Sequence, residues 1–311
     1  MTETINTKVL IIGSGPAGYT AAIYAARAGH EPVMITGLQT GGQLTTTTEI
    51  ENWPGFENPI EGSWLMEQMA KQAENMGTKI MNDLAISVDF SAPLKKVIGD
   101  SGNVYTADTV IITTGAQARW FGMESEEKFK NNGVSACAKC DGFFYRGKEV
   151  AVLGGGNSAV EEAIYLTNFA KKVTLIHRRD ELRAEKVMQE RLFKNPKIEV
   201  IWDTEVEEFL GDDMGLSGLR LKNKITGKVS QLNVMGAFVS IGHKPATDIF
   251  QSKIKTDAEG YIITDPDSTA TNVPGVFAAG DVKDKKFRQA ITAAGMGCMA
   301  ALEADKYLME K

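Results

Sequence analysis

Residues 8–18 read KVLIIGSGPAG, and this stretch decides the fold. An apolar run at 8–12 stops at Gly13-Ser14-Gly15-Pro16-Ala17-Gly18, which fits G-x-G-x-x-G. The first glycine permits a tight turn. Gly15 lets the backbone approach a pyrophosphate, and Gly18 lets the following helix pack close to the strand. An Ala- and Tyr-rich helical stretch runs from Pro16 to about residue 28, and a short apolar strand at 32–35 completes a βαβ unit. The start of that helix offers unpaired N–H groups and partial positive charge to an anion. The pattern is weak alone; its place between a strand and a helix is what makes it specific. One element departs from the rule. The second strand should end in an acid that holds a ribose, but it ends Ile35-Thr36-Gly37, and the nearest acid, Glu31, precedes it. Ribose contacts are therefore expected from the loop 36–43.

The pattern occurs again from Glu149. An apolar strand ends in Gly154-Gly155-Gly156-Asn157-Ser158-Ala159, a G-x-G-x-x-A loop, followed by a helical stretch at 158–169 and a strand at 173–176. Next comes His177-Arg178-Arg179-Asp180-Glu181-Leu182-Arg183. An NAD site places a carboxylate here; this chain places arginines, whose guanidinium forks match the 2′-phosphate of NADP. A solvated charge run is the alternative, because acids are interleaved. Position after the second strand of a βαβ unit favours the phosphate, and with it NADPH over NADH.

Just before the second loop stands Cys137-Ala138-Lys139-Cys140-Asp141. C-x-x-C spacing closes a small disulfide ring or supplies half a zinc site. Zinc needs two further ligands. Cys298 is a single distant candidate, and His30, His177 and His243 show no paired spacing, so no metal is expected. A redox pair is the economical reading beside two nucleotide loops, with two buried thiols as the alternative. Asp141 is placed to give or take the proton of thiol chemistry; its structural alternative is a turn or cap before Gly142. Cys298, in a small-residue helical stretch at 288–309, is expected to be buried and inert.

A chain of 311 residues exceeds what one core usually organises, so two domains are expected. The formal charge of -6 argues against nucleic acid and anionic membrane as partners. The N-terminus lacks the pattern of a secretory leader and no run reaches the length of a spanning helix, which makes the cytoplasm the default location. Residues 37–59 are loop-rich with a threonine run, 62–76 form an amphipathic helix, and 79–106 read as short strands with turns. Further strands are expected at 109–113 and at 276–279, the latter ending in Gly280-Asp281.

The segments GSGPAGYTAA, GGQLTTTTEIENWPG, CAKCDGFF, GGGNSAVEEA, HRRDELRAEK, PGVFAAGDV and RQAITAAGMGCMAALEA together resemble the bacterial-type, low-molecular-weight thioredoxin reductase family, along essentially the whole chain. The resemblance implies an α/β fold of two Rossmann-like, three-layer nucleotide-binding domains. A FAD domain (1–117 and 245–311) would be interrupted by an NADPH domain (118–244) carrying the C-x-x-C. It implies FAD on the first glycine loop and NADPH on the second. Thr36, Gly37, Gly41, Gly42, Gln43 and Asn52 would lie along the flavin nucleotide, with Thr114 and Gly115 at the domain crossing. Gly280 and Asp281 would hold the ribityl–phosphate chain, and residues 282–291, including Arg288, Gln289 and Ala290, would border the isoalloxazine. It further implies a homodimer and electron flow from NADPH through FAD and the Cys137–Cys140 pair to thioredoxin, with Cys140 toward the flavin and Cys137 toward the substrate. A rotation about crossings near 115–119 and 242–247 is expected to expose the dithiol. Two departures stand out. The family's usual A-T-G is Thr113-Thr114-Gly115 here, and Lys139 replaces a smaller residue, with a charge able to lower a neighbouring thiol pKa. Related flavin reductases that pass electrons to ferredoxin or oxygen lack the C-x-x-C, and an NADPH-sensing binding protein would not need it to cycle.

Overall fold

The computed structural model describes residues 2–46 and 49–311; Thr47 and Thr48, from the threonine run, lie outside the described residues, as does Met1. The chain forms two compact units, Met1–Gln117 with Lys244–Lys311, and Ala118–His243. The second thus interrupts the sequence of the first. Among the described residues no helix is long and apolar enough to cross a membrane.

The first unit is built on a seven-stranded sheet in the spatial order Lys79–Met81, Val33–Ile35, Thr4–Ile12, Val104–Ile112, Lys95–Gly99, Ala85–Asp89. Val276–Ala278 joins the same edge of Val104–Ile112 as Lys95–Gly99 does. The long strand serves both because they use different halves: Lys95 pairs antiparallel opposite Ala107, and Val276 pairs parallel opposite Val110. The stretches 9–12, 33–35, 110–112 and 276–278, which pair in parallel, read as unbroken apolar runs because both faces are covered. The pleat sorts them. Val9 and Ile11 face a helix layer made of Pro16–Arg27, Gly62–Asn75 and Ala290–Met309, while Leu10 and Ile12 face a second core with Phe90, Phe250 and Ile262.

The small residues of the last helix have a packing cause. A Cβ on Gly297 would stand 2.1 Å from the carbonyl oxygen of Ala17, so this helix lies directly on the one that opens the first glycine loop. It starts at Ala290 rather than 288, because Arg288 is left-handed (φ 48) and Gln289 is extended (φ -117, ψ 145). Cys298 corrects an expectation: it is half-buried, not buried, and hydrogen-bonds the Tyr24 hydroxyl. A surface helix buries one stripe, and Cys298 falls at its margin.

The second unit carries a parallel five-stranded sheet in the order Val134–Ser135, Gly236–Val239, Glu149–Leu153, Lys172–Ile176, Ile198–Ile201. Val150 and Val152 face the helix Asn157–Leu166; Ala151 and Leu153 face an antiparallel three-stranded meander, Thr204–Asp212, Gly215–Asn223 and Val229–Asn233. The helix stops at Leu166, short of 169, where the Thr167 hydroxyl turns back to the Ile164 carbonyl at 2.7 Å. Each unit is therefore a Rossmann-like, three-layer α/β arrangement.

Candidate functional site

In the first loop the three glycines have separate duties. Gly13 is left-handed (φ 112) and a Cβ there would meet the Thr113 carbonyl oxygen at 2.4 Å; a Cβ on Gly18 would meet the Gly13 oxygen at 2.0 Å. Gly15 has nothing within 4 Å of such an atom. Two glycines therefore close the loop onto the strand and the middle one faces open space. Gly15 is the extended N-cap, Pro16 opens the helix, and no side chain caps it, so its first-turn donors remain available to an anion. A dinucleotide pyrophosphate fits this loop.

The loop 36–43 is fastened to it. The Ser14 hydroxyl donates to the Thr36 carbonyl at 2.8 Å and accepts from the Gly41 amide at 3.0 Å. Gly37 donates its amide to the Asp83 carbonyl at 2.9 Å, and a Cβ on Gly42 would lie 3.2 Å from Gly15 Cα. Gln43 Nε2 donates to the Ala116 carbonyl at 2.5 Å, and the Thr114 hydroxyl to the Ala246 carbonyl at 2.8 Å, while Ala246 N–H donates to the Gly115 carbonyl at 2.9 Å. The C-terminal residues close the site from the other side. A Cβ on Gly280 would meet the Ala17 Cβ at 3.1 Å, and Asn52 Nδ2 donates to Gln289 Oε1 at 3.3 Å. Asp284 shapes the segment between, accepting from the amides of Lys286, Phe287 and Arg288. Burial and the Asp284 carboxylate push Asp281 up to about 7, against the pull of Arg288.

Ser14 was not legible as a site residue, and Thr113 and Asp284 were not singled out within the stretches expected at the site. Ser14 hides in a variable position of the motif. Thr113, where the family usually has alanine, donates to both the Ile12 and Gly13 carbonyls, at 2.9 and 3.0 Å. Its hydroxyl pins the strand end that launches the loop.

The second loop repeats the division of labour. A Cβ on Gly154 would meet the Ser240 carbonyl oxygen at 2.3 Å and the Ala159 Cβ at 2.8 Å, while Gly156 has nothing within 4 Å. Gly156 is an extended N-cap, and no side chain caps the helix that continues through Asn157 and Ser158. The arginine segment folds back over it. Arg183 N–H donates to the Gly155 carbonyl at 2.7 Å, and Glu185 N–H to Asn157 Oδ1 at 2.8 Å. Arg178, Arg179 and Arg183 are exposed around this loop, and His177 is buried against Gly155. Burial holds the His177 imidazole below its ordinary range, and the charges of Arg179 and Arg183 add to that. Its Nε2 is buried without a partner among the described residues. Such an orphaned polar atom, beside three free cations and an open glycine, fits a phosphate-bearing nucleotide.

Cys137 and Cys140 form a disulfide across the four-residue helix Ala138–Asp141. Cys137 is half-buried and Cys140 and Lys139 are exposed. The Cys137 sulfur accepts from the Cys140 amide at 3.2 Å. Gly142 follows because a Cβ there would press on Leu166 at 3.1 Å. Ser135 pairs with Phe238, which pairs in turn with Val152, so the segment that carries the dithiol leaves the sheet at the same end as the second glycine loop, with one strand between them. Asp141 lies beside the disulfide; burial raises its carboxyl, and a hydrogen bond from the Ser135 hydroxyl at 2.5 Å partly offsets this.

Two dinucleotide loops and a disulfide on one chain define an electron-transfer protein. Residues 7–297 match the pyridine nucleotide-disulphide oxidoreductase family, and the chain belongs to it: an oxidoreductase that works with a flavin and a pyridine nucleotide. The chain is 60% identical over 306 residues to a thioredoxin reductase of Rickettsia bellii, covering 98% of this chain and 99% of the relative. A solved thioredoxin reductase structure from Giardia duodenalis superposes with a TM-score of 0.94 at 39% identity, covering 98% of this chain and 99% of that one. A Pseudomonas fluorescens relative named glucosaminate ammonia-lyase is 52% identical over 315 residues, covering 99% of this chain and 98% of the relative.

Proposed function

We propose that the chain is a thioredoxin-disulfide reductase that moves electrons from NADPH through FAD and the Cys137–Cys140 pair to the disulfide of thioredoxin. The observation that carries this reading is the Cys137–Cys140 disulfide, set in the same unit as an arginine-flanked glycine loop. In this reading residues 1–117 and 245–311 bind FAD, and residues 118–244 bind NADPH. The Gly13–Gly18 loop, the 36–43 loop, Asn52, Thr114, Gly115, Gly280, Asp281 and the 288–290 segment hold the flavin nucleotide. The second loop, from Gly154 to Ala159, takes the NADPH pyrophosphate, and His177, Arg178, Arg179 and Arg183 take its 2′-phosphate. The enzyme works as a cytoplasmic homodimer, where few cysteines and one redox pair suit a reducing compartment.

Bound FAD supplies the two electrons that NADPH delivers. The rest is chemistry of this chain. Reduction breaks the Cys137–Cys140 bond, and Asp141 donates a proton to one sulfur while the other stays a thiolate. A thiolate attacks the substrate disulfide, forming a mixed disulfide and expelling one substrate thiolate, which takes up a proton. The second cysteine sulfur then closes the Cys137–Cys140 bond and releases the second substrate thiolate.

The test is NADPH oxidation by the purified protein with and without oxidised thioredoxin. Strong stimulation, lost by more than about a thousandfold in Cys140→Ser while NADPH still bleaches the flavin, is the expected result. An ammonia-lyase, which transfers no electrons to a disulfide, would keep its activity in Cys140→Ser. No stimulation by thioredoxin, with flavin reduction intact, would send the electrons to another acceptor.

A further inference from the structure

Ser135 ends the short edge strand Val134–Ser135, two residues before the first cysteine, and is buried. Its hydroxyl oxygen accepts the Cys137 amide hydrogen at 3.0 Å. Its own hydrogen points at Asp141 Oδ2, 2.5 Å away. A serine hydroxyl has one hydrogen to give. With the Cys137 N–H directed at the oxygen, that hydrogen is committed to Asp141. Oδ2 is therefore fixed as an acceptor, and any proton that Asp141 carries sits on Oδ1.

We infer that Ser135 is a positioning residue for the dithiol's acid: through one hydroxyl it ties the Cys137 backbone to the Asp141 carboxyl and sets which oxygen of that carboxyl delivers the proton. The inference rests on the proposed reading of Asp141 as the proton donor to the Cys137–Cys140 pair. In the step concerned, two electrons, which bound flavin would supply, break the S–S bond. The Oδ1 proton passes to one sulfur, the other remains a thiolate, and Asp141 is left as a carboxylate that the Ser135 hydroxyl continues to solvate. Without that hydroxyl the carboxylate would be buried with one fewer donor, and its rotamer would be free.

Among the described residues the ionisable side chain coupled to Asp141 is Tyr145, whose phenol is pushed up to about 12 by burial and by Asp141 itself, so it stays uncharged through neutral pH. From the packed helix and the turn after it, Leu166, Phe169 and Tyr165 line Gly142. Lys139 is exposed.

The experiment uses the full-length, FAD-loaded enzyme and the matched pair Ser135→Thr and Ser135→Val. These differ by a hydroxyl against a methyl at nearly constant shape and both suit a strand; Ser135→Ala is read in parallel in case the branched residues do not fold. The measurements are flavin content, flavin bleaching by NADPH, and the pH profile of kcat for reduction of oxidised thioredoxin. Ser135→Thr should stay within about twofold of the parent, a small part of what a general acid contributes. Ser135→Val should bind flavin normally yet lose about tenfold in kcat, and its alkaline limb, where Asp141 loses the proton it donates, should move to higher pH because the hydroxyl no longer favours the carboxylate. Adding Ser135→Val to Asp141→Asn should cost nothing further. If Asp141→Asn is slow but Ser135→Val and Ser135→Ala keep the parental rate and limb, the inference falls alone. If Asp141→Asn is as fast as the parent, the acid reading falls and takes the inference with it.

Discussion

The two glycine loops have nearly the same geometry and opposite surroundings. In both, the first position is walled by a neighbouring strand end, and the glycine before the helix faces open space. Around the first loop the fold closes in. Ser14 fastens the 36–43 loop, Thr113 pins the strand end, and the last helix of the chain seats Gly297 on Ala17. Around the second loop the partners are exposed arginines on a segment tied to the loop through the backbone amides of Arg183 and Glu185. A site woven from four distant stretches releases its ligand only by loosening the fold. A site ringed by solvated cations lets its ligand come and go. The contrast suits the proposed assignment of a retained flavin to the first loop and an exchangeable pyridine nucleotide to the second.

The largest effect should follow from filling the closed loop. Gly18→Val places a side chain where even a Cβ would stand 2.0 Å from the Gly13 carbonyl oxygen, and neither backbone can yield. The protein should purify without flavin absorbance, or not fold at all. Near-normal flavin content would break the claim that helix and strand must touch here. The second loop should fail differently. Arg178→Ala with Arg183→Ala removes charge-assisted hydrogen bonds that, at this exposed and screened site, are worth about 1.5–3 kcal/mol together. Flavin content should be unchanged, the KM for NADPH should rise by about 10- to 100-fold, and the KM for NADH should hardly move. Equal losses with both nucleotides would remove the 2′-phosphate from the argument.

The comparison also explains what the sequence could reveal. The strands and helices that flank the two loops and the spacing of the glycines were legible because they are local: a period, a turn and a cap lie within a dozen residues. The strands at 198–201 and 236–239 and the meander over 204–233 were not read from the sequence. The arginine segment was legible because it follows a strand at a fixed offset. What joins these pieces was not. Ser14 occupies a position the motif leaves free, Ser135 lies outside the C-x-x-C, and the contact of Gly297 with Ala17 spans nearly the whole chain. Cys298 was misjudged for a related reason, since a run of small residues marks a close helix contact without saying which residue faces it. Local rules place the loops; the hydroxyls that fasten them need the tertiary structure.

Ser14→Ala tests one such fastener. It strips the buried Gly41 amide of its acceptor and the Thr36 carbonyl of its donor. An unsatisfied buried donor costs about 1–3 kcal/mol, so the denaturant midpoint should fall and flavin should be lost on dilution, with NADPH affinity unaltered. The same stability loss with the flavin held as tightly as before would make Ser14 a core residue only.

The smallest effect is a pH dependence confined to the second loop. His177 is kept below its ordinary value of 6.5, first by burial and then by Arg179 and Arg183. In the unfolded chain it takes up a proton near 6.5; in the folded unit it stays neutral to lower pH. As pH falls below 6.5 the unfolded state binds more protons, so this residue's contribution to stability declines, while above 6.5 it is flat. The hydroxyls that fasten the first loop do not titrate in this window. Asp281 does, in the opposite sense, because its raised value of about 7 favours the folded state as pH falls. The two contributions separate by difference. The gap in urea midpoint between the parent and His177→Gln should change steadily from pH 6.5 to 5.5, to the parent's disadvantage, and hold constant from 7 to 8. A gap that is flat across the whole range would mean that His177 ionises in the folded protein as freely as in the unfolded one, and the buried side of the second loop would then be as open to water as its arginines.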